Sequence, residues 1–212
     1  MMQIKCFEFS PIQENTYVLM DDQQSCIIID PGCYFDSEKD ELVQFIEESS
    51  LTPMMLLNTH CHLDHVFGNK FIAEKYKLIP KIHMNEKKIL EMAAASGLMY
   101  NLPFDSYQGE LEYLEDGQKI TFGGDSLEVI LAPGHSPGSL CFYAEKSGIL
   151  IGGDVLFQNS IGRTDLPGGD YDTLIKSIKE RILVLPDQTI VYSGHGPSTT
   201  VGREKMSNPF LQ

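Results

Sequence analysis

The segment Thr59-His60-Cys61-His62-Leu63-Asp64-His65 places four metal-competent side chains, His60, His62, Asp64 and His65, within six residues. Neighbours on one helix face recur every three or four residues, and on one strand face every two. His60 and His62 are two apart, whereas Asp64 and His65 are adjacent. No single regular element directs all four side chains at one point. A loop wrapped around two cations does so, with one pair of side chains for each.

Three further candidates lie far downstream in similar contexts. His135 follows Val129-Ile130-Leu131-Ala132-Pro133-Gly134, Asp154 follows Ile149-Leu150-Ile151-Gly152-Gly153, and His195 follows Ile190-Val191-Tyr192-Ser193-Gly194. The first motif likewise follows the apolar run Met54-Met55-Leu56-Leu57. Ligands carried at strand ends can converge at one sheet edge. The adjoining glycines let the backbone turn sharply there. Imidazole and carboxylate donors without thiolate suit zinc, iron or manganese. Two such ions about 3.5–4 Å apart, bridged by a carboxylate and a hydroxide, supply nucleophile and Lewis acid together. Hydroxide is available because metal-bound water ionises near neutral pH. Five of the six histidines fall on these positions, which disfavours scattered structural histidines.

The other chemically notable residues carry plainer expectations. His83 lies outside the motif, at a strand end, and is expected to be structural or superficial. Cys61 is expected to pack as a thiol, since an extended segment points it away from His60 and His62. Arg163 has two evenly weighted readings: a bidentate clamp on a substrate carboxylate, or a salt bridge to Asp165 or Asp170 that shapes its loop.

The elements that must position these residues follow from periodicity. Residues 3–9, 15–20 and 24–30 read as strands, the last a buried run ending at the turn Asp30-Pro31-Gly32. Residues 36–49 read as a helix presenting Leu42, Val43, Phe45 and Ile46 on one face. Helices are expected at 69–77 and 85–96, flanking a strand at 80–83. Further strands are expected at 111–114, 118–122, 126–131, 139–144, 148–152 and 189–192. A helix over 171–184 presents Leu174, Ile175, Ile178 and Ile182. Strands followed by helix in both halves imply an α/β fold of two packed sheets with helices outside, a four-layered αββα sandwich. The expectation is a single domain over 1–212.

Composition narrows the function. The 212 residues suffice for one domain with a substantial core. A net charge of −14 makes nucleic acid a poor partner. No apolar run approaches the roughly 18–20 residues that span a bilayer, and the first residues lack a secretory pattern. Five cysteines at scattered positions fit a reducing compartment. A cytoplasmic location, a small-molecule substrate, no membrane or nucleic-acid partner, and a monomer or dimer are the expectations.

The HxHxDH string, with Gly134-His135, Gly153-Asp154 and Gly194-His195-Gly196 in order, resembles the metallo-β-lactamase superfamily, and most of all its glyoxalase II-like (hydroxyacylglutathione hydrolase-like) hydrolases. The resemblance runs from Asn15-Thr16-Tyr17 to Asn208-Pro209-Phe210, and the segment Ser160 to Gly169 looks like the single-domain bacterial subgroup. It implies one metal site from His60, His62 and His135, and a second from Asp64, His65 and His195, with Asp154 bridging. Asp64 and Asp154 would be the carboxylates of the reacting centre, and Arg163 a substrate-binding candidate. The implied cofactors are two divalent ions, zinc first, with iron or manganese as alternatives. The implied reaction is hydrolysis of a thioester such as an S-2-hydroxyacyl-glutathione, by attack of a metal-bridging hydroxide. Glyoxalase II proteins carry a further helical C-terminal region that helps bind glutathione, whereas this sequence runs only to Gln212, so a smaller or different thiol is also expected. The alternatives are a persulfide dioxygenase with one iron on His60, His135 and Asp154, a metal-binding domain without turnover, and, more weakly, a β-lactamase.

Overall fold

Alternating apolar residues at the start of the chain build the edge of a mixed sheet. In the computed structural model, which describes residues 2–212, β1 (Gln3–Phe9) buries Phe7 and Phe9 and pairs antiparallel with β2 (Glu14–Met20). Next comes β3 (Ser25–Ile29), antiparallel to β2, with Cys26 through Ile29 fully buried. Burial on both faces explains its unbroken apolar run. The parallel strands β4 (Thr52–Leu57), β5 (Pro80–Ile82) and β6 (Glu112–Tyr113) complete the order β1-β2-β3-β4-β5-β6.

Helices connect the parallel strands. The first, α1 (Asp36–Glu48), buries Leu42 and Ile46, which lie one turn apart. Four-residue α2 (Leu63–Val66) carries Asp64 and His65, and α3 (Asn69–Tyr76) buries Ile72 and Ala73. A 3₁₀ turn, Met84–Glu86, precedes α4 (Lys87–Met99). Phe7, Phe9, Val18, Ile28, Leu42, Ile46, Leu56 and Ile72 form one core cluster. Each such aliphatic or aromatic side chain contributes about 1.5–3 kcal/mol on burial.

By internal contacts the chain forms two compact units, Met1–Tyr113 and Leu114–Gln212. The second unit is also built on a mixed sheet. Its strands are β7 (Lys119–Phe122), β8 (Asp125–Leu131), β9 (Leu140–Ala144) and β10 (Ile149–Gly153), then the small hairpin β11 (Leu156–Phe157) and β12 (Ser160–Ile161). After α5 (Tyr171–Ser177) come β13 (Ile190–Ser193), β14 (Thr199–Thr200) and α6 (Val201–Ser207). The sheet order is β14-β13-β10-β9-β8-β7. Strands β10 and β13 are parallel, and the other neighbours are antiparallel. Two mixed sheets with helices make the chain an α/β protein, as expected.

Several local differences have simple causes. The segment read as one helix over 171–184 is α5 followed by a π turn, Ile178–Ile182, closed by Leu183 N–H donating to Ile178 O at 2.8 Å. Leu174, Ile178 and Ile182 remain fully buried through the change. The helix expected at 85–96 starts as the 3₁₀ turn and continues to Met99. The β11–β12 hairpin, β14, α2 and α6 were not anticipated. All are seven residues or shorter, too short for periodicity to show.

Candidate metal centre

In the first unit, three neighbouring parallel strands end at the same edge of the sheet. Asp30 follows β3, Asn58 to His65 follow β4, and Glu86 closes the turn after β5. The ladder runs on past the strand ends, with Asp30 N–H donating to Leu57 O and Asn58 N–H to Lys81 O, each at 3.0 Å. Asp30 then turns into the left-handed region at φ 50°. Aspartate is one of the few side chains that tolerates this conformation.

Asp30 organises the His-rich loop. Its carboxylate is buried and accepts from Thr59 N–H at 2.7 Å, from Thr59 Oγ1 at 2.5 Å and from His65 Nδ1 at 3.0 Å. Asn58 Nδ2 donates to His65 O at 3.0 Å, and Asn69 Nδ2 donates to Asn58 Oδ1 at 2.8 Å. These bonds set the tautomers. The Thr59 hydroxyl proton goes to Asp30, so Thr59 Oγ1 accepts from His60 Nδ1 at 3.1 Å. His65 Nδ1 donates to the Asp30 carboxylate. Both rings therefore carry hydrogen on Nδ1 and lone pairs on Nε2. The two ring centroids are 4.1 Å apart, and the His62 ring stands edge-on to His60 at 4.7 Å. His65 Nε2 lies 3.8 Å from Asp64 Oδ2. Donor atoms of Asp30, His60 and His65 lie within 4.8 Å of one another. Because the Asp30 carboxylate also accepts from Asn58 Nδ2 at 3.4 Å and is thus occupied by four hydrogen bonds, we read it as the outer carboxylate that orients the imidazoles.

A second buried acid stands behind His65. Glu14 Oε1 lies 3.7 Å from His65 Nδ1. The Thr16 hydroxyl donates towards Glu14 Oε2 at 2.9 Å and towards Asp30 O at 2.8 Å. Burial pushes the Glu14 carboxyl well above the ordinary carboxylate range, against the pull of His65.

The second unit repeats the device. Strands β8, β10 and β13 run in one direction, and His135, Asp154 and His195 follow their C-terminal ends. Gly194 N–H donates to Gly153 O at 2.8 Å, tying together the turns that carry Asp154 and His195. His135 Nδ1 donates to the Arg163 backbone carbonyl at 2.7 Å, which leaves its Nε2 with a lone pair. That Nε2 faces Asp154 Oδ2 at 3.5 Å, and His195 Nε2 lies 3.7 Å from the same oxygen. Gly162 permits the close approach: a Cβ there would stand 1.9 Å from Asp154 O and 3.0 Å from His135 Cβ. Gly134, at φ 131°, turns directly against Leu174, whose backbone N a Cβ would meet at 2.3 Å.

Each expected site residue thus falls beside its companions within its own unit: His60, His62, Asp64 and His65 in one, His135, Asp154 and His195 in the other. The donor chemistry fits metal. His135 and His65 each turn a lone-pair nitrogen towards a carboxylate oxygen, an arrangement that a cation stabilises. Arg163 Nε and Nη2 donate to both Asp165 oxygens, at 2.7 and 2.6 Å, and hold that carboxyl down to about 2. The salt bridge expected as one of its two readings is therefore present, and the backbone of Arg163 touches the site through His135. His83 caps the 3₁₀ turn by accepting from Asn85 N–H at 3.2 Å, a structural role as expected. Cys61 packs with Val66, Ile82, Leu90 and Ala93, and burial pushes its thiol well up. Asp30, Asn58, Thr59, Asn69 and Glu14 were not anticipated as site residues. The one signal was an acid closing an apolar run before Pro31-Gly32, which reads equally as a turn.

Residues 10–195 match the family model of the metallo-beta-lactamase superfamily. The chain belongs to that superfamily and is a metallo-hydrolase of its fold, whose members hold divalent ions, typically two. It is 37% identical to "Hydroxyacylglutathione hydrolase GloC" of Haemophilus influenzae, over 99% of this chain and 98% of that one. Among solved structures it is similar to the "BLEG-1 B3 metallo-beta-lactamase", with 40% identity, a TM-score of 0.91, and coverage of 99% of this chain and 100% of that one. It is likewise similar to "TTHA1623 in a di-iron-bound form", with 35% identity, a TM-score of 0.88, and coverage of 98% and 100%. No helix among the described residues is long and apolar enough to cross a membrane.

Proposed function

We propose that this chain is a dinuclear metal-dependent hydrolase of acyl thioesters, of the S-2-hydroxyacyl-glutathione type. The observation that carries the metal reading is the Asp154 carboxylate oxygen standing 3.5 and 3.7 Å from the Nε2 atoms of His135 and His195. The thioester reading rests on the likeness to the GloC hydrolase along nearly the whole of both chains.

In this reading, His60, His62 and His135 would hold one ion, Asp64, His65 and His195 the other, and Asp154 would be a ligand as well. Two divalent ions there supply a polarised carbonyl and a water acidified to a pKa near 7. Zinc is the first candidate, and the same donors accept manganese or iron, as in the di-iron relative. The chain's own part is positional and electrostatic. Asp30, directly and through Thr59, holds hydrogen on the Nδ1 atoms of His65 and His60, so their Nε2 atoms stay available. The Arg163 carbonyl does the same for His135. Asp64 and Asp154 bring negative charge that would offset that of the bound cations.

The likeness to the BLEG-1 lactamase favours lactam hydrolysis as a second reading, since amide and thioester carbonyls need the same electrophilic activation. The test compares kcat/KM on S-lactoylglutathione, an S-lactoyl thioester of cysteamine, and a chromogenic cephalosporin. A thioester preference above 100-fold is expected, and the better of the two thiols names the carrier. A cephalosporin preference of that size overturns the thioester reading. Oxygen consumption with glutathione persulfide, with one iron per chain and no hydrolysis, replaces both with a dioxygenase.

A further inference from the structure

Glu86 is fully buried, yet it lies outside the His-rich loop, in the turn that follows the neighbouring strand β5. It is the last residue of the 3₁₀ turn Met84–Glu86, twenty-five positions after Cys61. Its Oε2 accepts from the Cys61 backbone N–H at 2.8 Å. Cys61 is the residue between His60 and His62, so this amide sits at the midpoint of a two-ligand pair.

The surrounding geometry aims the carboxylate. His83 follows β5 and caps the turn by accepting from Asn85 N–H at 3.2 Å, and Glu86 N–H donates to His83 O at 2.9 Å. The turn folds back, and Glu86 reaches the loop that follows the adjacent parallel strand β4. The Cys61 side chain packs in the cluster with Val66, Ile82, Leu90 and Ala93. The residue between the two histidines is thus fastened at its amide by a buried carboxylate and at its side chain by an apolar cluster.

We infer that Glu86 is a positioning residue for the metal centre, which its buried carboxylate serves by fixing the His60-Cys61-His62 backbone so that both imidazoles meet one ion. The inference rests on the proposed metal reading and extends it to a residue outside the ligand motif. A buried carboxylate is costly to keep without such bonds. Outer residues that orient metal ligands typically change affinity by 10–100-fold when removed. The role needs an acceptor oxygen at that distance rather than the charge alone, so an amide in the same place should serve and a shortened acid should not.

The experiment is cobalt(II) titration of the metal-free full chain, followed by the visible d–d bands, with the thermal midpoint of each metal-free protein recorded beside it. Glu86→Gln should bind within threefold of wild type with the same bands. Glu86→Asp and Glu86→Ala should weaken binding by 10–100-fold and alter the bands. If Glu86→Ala does not fold, the contrast between Gln and Asp decides alone. Wild-type affinity and bands in Glu86→Asp, or in a folded Glu86→Ala, would overturn the inference, as would a Gln variant as weak as Asp. A wild-type chain that binds no cobalt at all instead removes the metal reading itself, so the two failures are separable.

Discussion

At the scale of single residues, the account rests on which imidazole nitrogens carry hydrogen. Asp30 does most to decide this in the first unit, where it accepts from Thr59 twice and from His65. Asp30→Ala strands buried donors, each costing about 1–3 kcal/mol. It should also weaken metal binding by about 10–100-fold. Denaturant unfolding and metal titration of the same preparation check both. Arg163→Ala tests the guanidinium separately from the backbone carbonyl that His135 uses. A substrate clamp predicts a raised KM with kcat little changed, whereas a loop-shaping pair with Asp165 predicts neither change. The ligand candidates were legible in the sequence because histidines are few, four candidates are clustered, and the three downstream ones each follow a glycine. The residues that orient them were not. Asp30 reaches Thr59 across 29 positions and Glu86 reaches Cys61 across 25, and no local pattern marks such pairs.

At the scale of elements, β3, β4, β5 and then β8, β10, β13 matter because their C-terminal ends carry the chemistry. The strands themselves were legible as apolar runs, and the direction in which each run pointed its successor was not. Gly162 is where an element turn and a ligand meet. Gly162→Ala should displace Asp154 or His135 and lower metal content, measured by elemental analysis, with little change in far-ultraviolet circular dichroism. Ile178, fully buried where α5 becomes a π turn, should cost about 2–5 kcal/mol as Ile178→Ala. Near that turn, Arg181 donates to both Asp116 oxygens, at 3.0 and 2.7 Å, and holds that carboxyl below the ordinary range. A depressed folded-state value means the pair stabilises fully above the unfolded value, near pH 4, and stops doing so as pH falls through the lower folded one. Because the pair is partly exposed, Asp116→Asn should cost no more than about 1 kcal/mol near pH 6. That difference should vanish in strong acid, read from denaturant midpoints across the range.

At the scale of the molecule, the family and the fold class were legible because the ligand motifs occur in a fixed order along most of the chain. The substrate was not, since thioester and lactam carbonyls call on the same activating groups. The net charge of −14 works in the same direction as the site: metal ligands embedded in an acidic chain gather cations. Ion binding to the native state should therefore stabilise the whole chain. By mass action the gain is about 2.7 kcal/mol at a hundredfold excess over Kd. Stripping the ions with a chelator should lower Tm, and returning zinc or manganese should restore it. The most direct measurement is metal stoichiometry by elemental analysis of the wild-type chain beside Asp154→Ala. Two ions per chain, falling to one or fewer in the variant, is the predicted result. One ion or none in the wild type, or two in a variant that still turns over thioester, would contradict it.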